Sequence, residues 1–162
     1  MSDSRQSVIR QPDEGDLFHA GGDRYRFLAL AGETDSQYGL WEAVVPPGGG
    51  PPPHLHRREE EGFYVIEGEL TIHVDGREVT AGPGAFVNMP KGFTHWFRNN
   101  TDHPAKLLVI VAPGGMEAMF RETGKPASDD NGPIPALSKD EIQRIGETAP
   151  RYGIEIVGPP TH

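Results

Sequence analysis

The stretch HLHRREEEGFYVIEG, residues 54–68, decides the fold. Two histidines stand one residue apart in a chain that has only seven, and three consecutive glutamates, Glu59 to Glu61, follow closely. In an extended strand residues i and i+2 project to one face, so His54 and His56 can each offer a ring nitrogen to a single ion. Glu61 comes five residues later, an odd offset that one straight strand would turn to the opposite face. A turn through residues 57–60 removes the conflict: the next strand returns beside the first, and Glu61 faces inward. On that strand Glu61, Phe63 and Val65 share a face, so the glutamate continues an apolar row, a costly place for an isolated charge. A bound cation would offset that cost. Glu59 and Glu60 read as solvated, pairing with Arg57 or Arg58.

A fourth donor is His95, in PKGFTHWF (residues 90–97), which follows a Pro-Gly turn and opens an aromatic-rich strand. Three imidazoles and one carboxylate suit a divalent transition metal such as iron, manganese, nickel, cobalt, copper or zinc. Magnesium and calcium prefer all-oxygen shells. In an octahedral shell, four protein ligands leave two positions for water, dioxygen or substrate. His73 alternates with the apolar row Leu70, Ile72, Val74 and points outward, away from any such site. His19, His103 and His162 are expected in loops or at a terminus. Phe63 and Met89 are candidates for a substrate pocket. Trp96, beside His95, faces the other way, toward a dimer contact.

Outward from this segment the chain reads as short strands with frequent turns. PPGGGPPP (46–53) cannot lie inside a sheet, because proline lacks the ladder donor. Strands are expected at Tyr25–Ala31, Tyr38–Val45, Phe63–Glu67, Leu70–Val74, Ala85–Met89, Thr94–Arg98 and Leu107–Ala112. Asp75-Gly76 is a hairpin turn, and Gly68, Gly76, Gly84 and Gly92 sit where turns demand unusual backbone angles. Turn signals recur every 8–12 residues or so, the mark of an antiparallel sandwich or barrel. Then the pattern changes. Met116, Met119 and Phe120 make a short amphipathic helix with Gly124 past its C-cap. Ser138 and Glu141 form a capping box, with Leu137 and Ile142 as a hydrophobic staple, for a helix over about 139–148. YGIEIVG (152–158) adds one strand.

The 162 residues suit one domain with a core, and the 21 glycines and 16 prolines favour strands and turns over long helices. A net charge of −9 speaks against nucleic acid as a partner. There is no cysteine, hence no disulfide framework or thiolate chemistry. The polar start MSDSRQSVIRQPDEGD has no apolar run of signal-peptide length, and no segment approaches 18 apolar residues, so no membrane partner and a cytoplasmic location are the expectation.

Two segments resemble the two signature motifs of the cupin superfamily. Gly48 to Gly68, with His54, His56, Glu61 and Gly68, is similar to the first; Gly84 to Asn99, with Pro90, Gly92, His95 and Asn99, is similar to the second. The spacer, residues 69–83, is short, as in compact single-domain cupins. The resemblance implies an all-β double-stranded β-helix, or jelly-roll barrel, carrying one or two short C-terminal helices. It also implies a divalent metal ion held by His54, His56, Glu61 and His95, and a homodimer. Tyr64 and Ile66, on the face opposite Glu61, would need cover from a partner strand or from the N-terminal arm. The expected organisation is a polar arm or edge strand over 1–22, the barrel over 23–113, and a C-terminal extension over 114–162.

Cupin folds host many chemistries, so function must be argued from the site. PGGMEAMFRETG (113–124) resembles the C-terminal helix entry of single-domain cupins related to flavonol (quercetin-type) dioxygenases. That implies a dioxygenase acting on a small enolisable or aromatic substrate, with Glu61 both ligating metal and accepting the acidic proton of a substrate hydroxyl. The alternatives are a non-oxidative isomerase, decarboxylase or lyase using the metal as Lewis acid, and a non-enzymatic binding barrel. A sugar-phosphate isomerase would need basic residues at the pocket; Lys91 and Arg98 are the nearest.

Overall fold

A computed structural model of the chain describes residues 5–159. In chain order the strands are β1 (Leu17–Ala20), β2 (Asp23–Ala29), β3 (Gly39–Val45), β4 (His54–His56), β5 (Glu60–Glu67), β6 (Leu70–Val74), β7 (Arg77–Ala81), β8 (Phe86–Met89), β9 (His95–Arg98) and β10 (Ala105–Ala112). Helix α1 (Glu117–Thr123), β11 (Lys125–Pro126), helix α2 (Lys139–Thr148) and β12 (Ile154–Ile156) complete it.

Two antiparallel sheets face each other. One runs β11-β1-β2-β3-β10-β5-β8, the other β12-β4-β9-β6-β7. Period-two alternation sends one row of each strand into the space between them. In β3 the inward row is Gly39, Trp41, Ala43 and Val45, and in β10 it is Ala105, Leu107, Val109 and Val111. Phe27 and Trp41 meet at 6.1 Å between ring centroids, and Tyr25 packs edge-on against both. Burial of each such side chain contributes about 1.5–3 kcal/mol. The architecture is the all-β jelly roll expected, with two short helices after it.

Most of the local expectations hold. The β6–β7 hairpin closes through Asp75 (φ 53°) and Gly76 (φ 67°), with Val74 opposite Arg77. That is the doubly left-handed turn for which Asp-Gly is suited. Ser138 Oγ accepts from the Glu141 amide while the Glu141 carboxylate receives the Ser138 amide, and α2 follows. Buried Asn99 explains the last position of the second motif. Its amide donates to the carbonyls of Val45 and His103, its side-chain oxygen accepts from Thr101, and its backbone exchanges hydrogen bonds with Gly48 and Gly49. The two motifs are thereby tied together at one end of the barrel.

Three expectations are corrected. Strand β5 does not return beside β4. Both neighbours of β4 are occupied, by β9 and β12, so the chain crosses to the other sheet, where β5 pairs with β10 and β8. His19 lies in strand β1, opposite Arg24 and Lys125, rather than in a loop. Gly124 is itself the C-cap of α1, with extended backbone (φ −91°, ψ −169°), rather than the residue past it. It is small because a Cβ there would come within 2.6 Å of the carbonyl oxygens of His19 and Phe120. His162 lies outside the described residues.

Candidate metal centre

The crossing from one sheet to the other builds the site. His54 and His56 project from β4, and His95, paired directly with His54, projects from β9 of the same sheet. Glu61 comes from β5 of the opposite sheet, where it stands between Val111 and Met89. One donor atom from each of His54, His56, Glu61 and His95 lies within 4.8 Å of the other three. The ring centroids of His54 and His95 are 4.4 Å apart, and each lies 5.1 Å from that of His56. The cluster is buried, with His56 and His95 each 2% exposed and Glu61 5%.

The outer nitrogens are tied down. His54 Nδ1 donates to the Pro52 carbonyl at 2.9 Å and His95 Nδ1 to the Phe93 carbonyl at 3.2 Å. A carbonyl oxygen only accepts, so in both rings Nδ1 carries a proton and Nε2 is the nitrogen left to face the cluster. His56 Nδ1 faces the Glu59 carboxylate at 3.6 Å. Glu61 Oε2 lies 3.1 Å from His95 Nε2 and 3.3 Å from His56 Nε2. An anionic oxygen held against imidazole nitrogens needs a proton or a cation between them. This donor set, with His56 Nε2 buried and lacking a hydrogen-bond partner, fits a divalent transition metal.

Electrostatics agree. Burial pushes His54 down to about 4, His95 and His56 adding to that against the pull of Glu61, so this ring stays neutral. Burial also opposes charge on His56, but the Glu61 and Glu59 carboxylates outweigh it and raise the ring above its ordinary value. Glu61 loses more to burial than to any single neighbour. Together, though, His56, His95 and His54 hold it below the usual carboxylate range.

The cluster opens on a cavity of about 340 Å³, reached by His54, His56 and Glu61. Its remaining wall is largely apolar, including Trp41, Phe63 and Phe97 from the sheets, Met119 and Phe120 from α1, and Ile145 from α2. Of the two pocket candidates, Phe63 lines this cavity. Met89 does not: it is 1% exposed and packed in the core. His73 is turned outward and stacks on Trp96 at 4.4 Å.

Three residues near the site were not legible as such. Glu59 is 4% exposed rather than solvated, because the crossing to β5 passes beneath His56. Glu60 is exposed and binds Asn88 and the Lys91 amide, while Arg57 pairs with Glu155. Asp23 and Tyr25 line the cavity from β2. The signal for them was available: in DRYRFLA, Asp23 occupies the same alternating row as Tyr25 and Phe27. Beginning the strand at Tyr25 left it out.

Comparison with known proteins agrees with this geometry. The family model for the cupin domain matches residues 41–111, which contain all four clustered residues. The chain is 30% identical over 126 residues to a quercetin 2,3-dioxygenase of Bacillus subtilis (strain 168). The match covers 78% of this chain and 37% of the relative, so the chain spans little more than a third of that protein's length. Among solved structures, a predicted oxalate decarboxylase from Thermotoga maritima aligns with a TM-score of 0.59 at 18% identity, covering 66% of this chain and 99% of that one. An RmlC-like cupin from Shewanella frigidimarina aligns at 0.60 and 17% identity, covering 70% and 97%. At such identities the structural matches speak for the fold alone. The two motifs, the jelly roll and the family match together make this chain a member of the cupin superfamily.

Proposed function

We propose that the chain is a metal-dependent dioxygenase acting on a small enolisable or aromatic, flavonol-like substrate. The observation that carries the reading is one shared cavity. A buried carboxylate and histidine cluster stands at one side, and the rest of the wall is mostly aromatic and aliphatic. The likeness to a quercetin 2,3-dioxygenase supports the same reading.

His54, His56, Glu61 and His95 would hold one divalent ion, iron, manganese, nickel, cobalt, copper or zinc. When bound, such an ion supplies Lewis acidity and open positions for substrate and dioxygen. The residues supply the rest. Glu61, held ionised by the imidazoles, can accept the proton of a substrate hydroxyl. Phe63, Phe97 and Trp41 offer flat apolar surface to rings and keep water away from the reacting atoms. Neither Lys91 nor Arg98 is among the residues lining the cavity, which weighs against a sugar-phosphate substrate.

A homodimer belongs to this proposal. Tyr64 and Phe86 are paired across β5 and β8, and with Ile66 and Ile110 they form an apolar patch on the outer face of the sheet. Phe86 is 63% exposed and Tyr64 46%, so no described part of the N-terminal segment covers them. A second copy of the chain would do so isologously. Among the described residues no helix is long and apolar enough to cross a membrane.

The test is metal analysis of the purified protein followed by dioxygen uptake with a panel of flavonols and β-diketones. Uptake abolished by His95→Ala is the expected result. A protein carrying a redox-active metal that consumes no dioxygen across the panel would overturn the reading in favour of non-oxidative chemistry or binding.

A further inference from the structure

The cavity holds a second polar feature, separate in sequence from the cluster. Strand β2 follows the Gly21-Gly22 turn, and its alternation turns Asp23, Tyr25 and Phe27 inward. Asp23 is 3% exposed. Its Oδ2 accepts a hydrogen bond from the Tyr25 hydroxyl at 3.1 Å. Its Oδ1 is buried without a hydrogen-bond partner. An aspartate next to a tight turn ordinarily binds the turn's own amides. This one leaves an oxygen unmatched inside the protein, an arrangement that costs stability and that folded proteins seldom retain without use. Both Asp23 and Tyr25 line the cavity. Of the buried polar atoms without a partner among the described residues, Asp23 Oδ1 is the one that belongs to the cavity wall but not to the histidine–glutamate cluster or its flanking Glu59.

We propose that Asp23 and Tyr25 form a second anchor in the cavity, which receives a hydroxyl or carbonyl oxygen of an aromatic ligand whose other end lies at the histidine–glutamate cluster. The ligand's position at the cluster rests on the function proposed above; the oxygen-binding role of Asp23 does not. Between β2 and β5 lie β3 and β10, three strand spacings of about 4.8 Å, or roughly 14 Å along the curved sheet. Inside the curve the side chains converge: the Glu61 charge reaches the Tyr25 hydroxyl, so anchor and cluster face one shared space that a single ligand can fill. Burial raises the Asp23 carboxyl to about 8, opposed by the Tyr25 hydrogen bond. In neutral water it is thus mainly a neutral acid, matched to a neutral oxygen function rather than to an ammonium group.

Phenol and toluene, alike in shape, separate the hydroxyl from the ring. Entering a wholly apolar cavity, phenol would shed water without replacement and bind more weakly than toluene. The full-length, zinc-loaded protein is titrated with each and followed by NMR, with the aspartate carboxyl carbons labelled. The expected result is a phenol affinity at least threefold above that for toluene, with phenol alone shifting the Asp23 resonance. Asp23→Asn, which keeps a hydrogen-bonding end, should retain most of the preference; Asp23→Leu should reverse it. Equal affinities in the wild-type protein, an unmoved Asp23 resonance, or an unchanged preference in Asp23→Leu would overturn the proposal. The first two readouts need no variant to fold. A flavonol panel without dioxygen uptake would defeat the dioxygenase reading, while the phenol titration would still decide the role of Asp23.

Discussion

His95 Nε2 lies 3.1 Å from Glu61 Oε2, although the two residues stand on strands of opposite sheets. The contact brings four donors to one point, and it makes Glu61 the single member supplied by the seven-stranded sheet. Glu61→Gln keeps the shape and removes the charge. Metal retention after dialysis should fall at least tenfold, since even groups acting through a ligand are worth 10–100-fold in affinity. Elemental analysis of the dialysed variant decides, and wild-type metal content would remove Glu61 from the centre.

Metal uptake should depend on pH with a definite sign. His56 is raised above its ordinary value by Glu61 and Glu59 against the effect of burial, so at pH 6.5 and below this ring carries a proton that the metal must expel. His54, pushed down to about 4, has none to lose in that range. Affinity should therefore climb with pH, about tenfold per unit for one displaced proton, and level off once the pH passes the raised value of His56. Calorimetry of zinc binding in buffers of different ionisation enthalpy counts the proton; none released at pH 6 would contradict the assignment.

Glu59 should act through His56. Its carboxylate faces His56 Nδ1 at 3.6 Å and is buried. In Glu59→Gln the zinc affinity should drop about 10-fold or more, and fewer protons should be released at pH 6. A variant with unaltered affinity and proton count would return Glu59 to a purely structural role.

Asn99 should matter for stability more than for metal. Its side chain satisfies the Val45 and His103 carbonyls and accepts from Thr101 from a fully buried position. Asn99→Ala leaves these groups unmatched and should cost about 2–4 kcal/mol in urea unfolding. A loss well under 1 kcal/mol would show that the two motifs are not held together there.

The outer patch gives the last prediction. Phe86→Glu should convert a dimer to a monomer in sedimentation experiments while leaving metal content unchanged, because Phe86 points away from the cluster's side of β8. A wild-type protein that is monomeric at micromolar concentration would refute the dimer.

Much of the molecule could be read from its residues because its signals are local. The Asp-Gly hairpin, the Ser138–Glu141 capping box and the alternation of Leu70–Val74 each depend on neighbours a few positions away. The inward row of Glu61, Phe63 and Val65 was legible for the same reason. What escaped was long-range. Which strand β5 would pair with depends on β9 and β12 having taken both edges of β4, and no local pattern records that. The burial of Glu59 follows from that crossing. Asp23 was hidden differently, by one missed turn of alternation at a strand's start.

The origin of the cavity's wall separates two kinds of change. The ion-binding groups stand on strands of the two sheets, whereas Leu137, Ile142, Ile145 and Ala149, on or beside α2, line another part of its wall. Substitutions in that helical stretch can retailor which molecules enter without touching the strands that carry the reactive groups, so selectivity and chemistry are free to evolve on separate tracks.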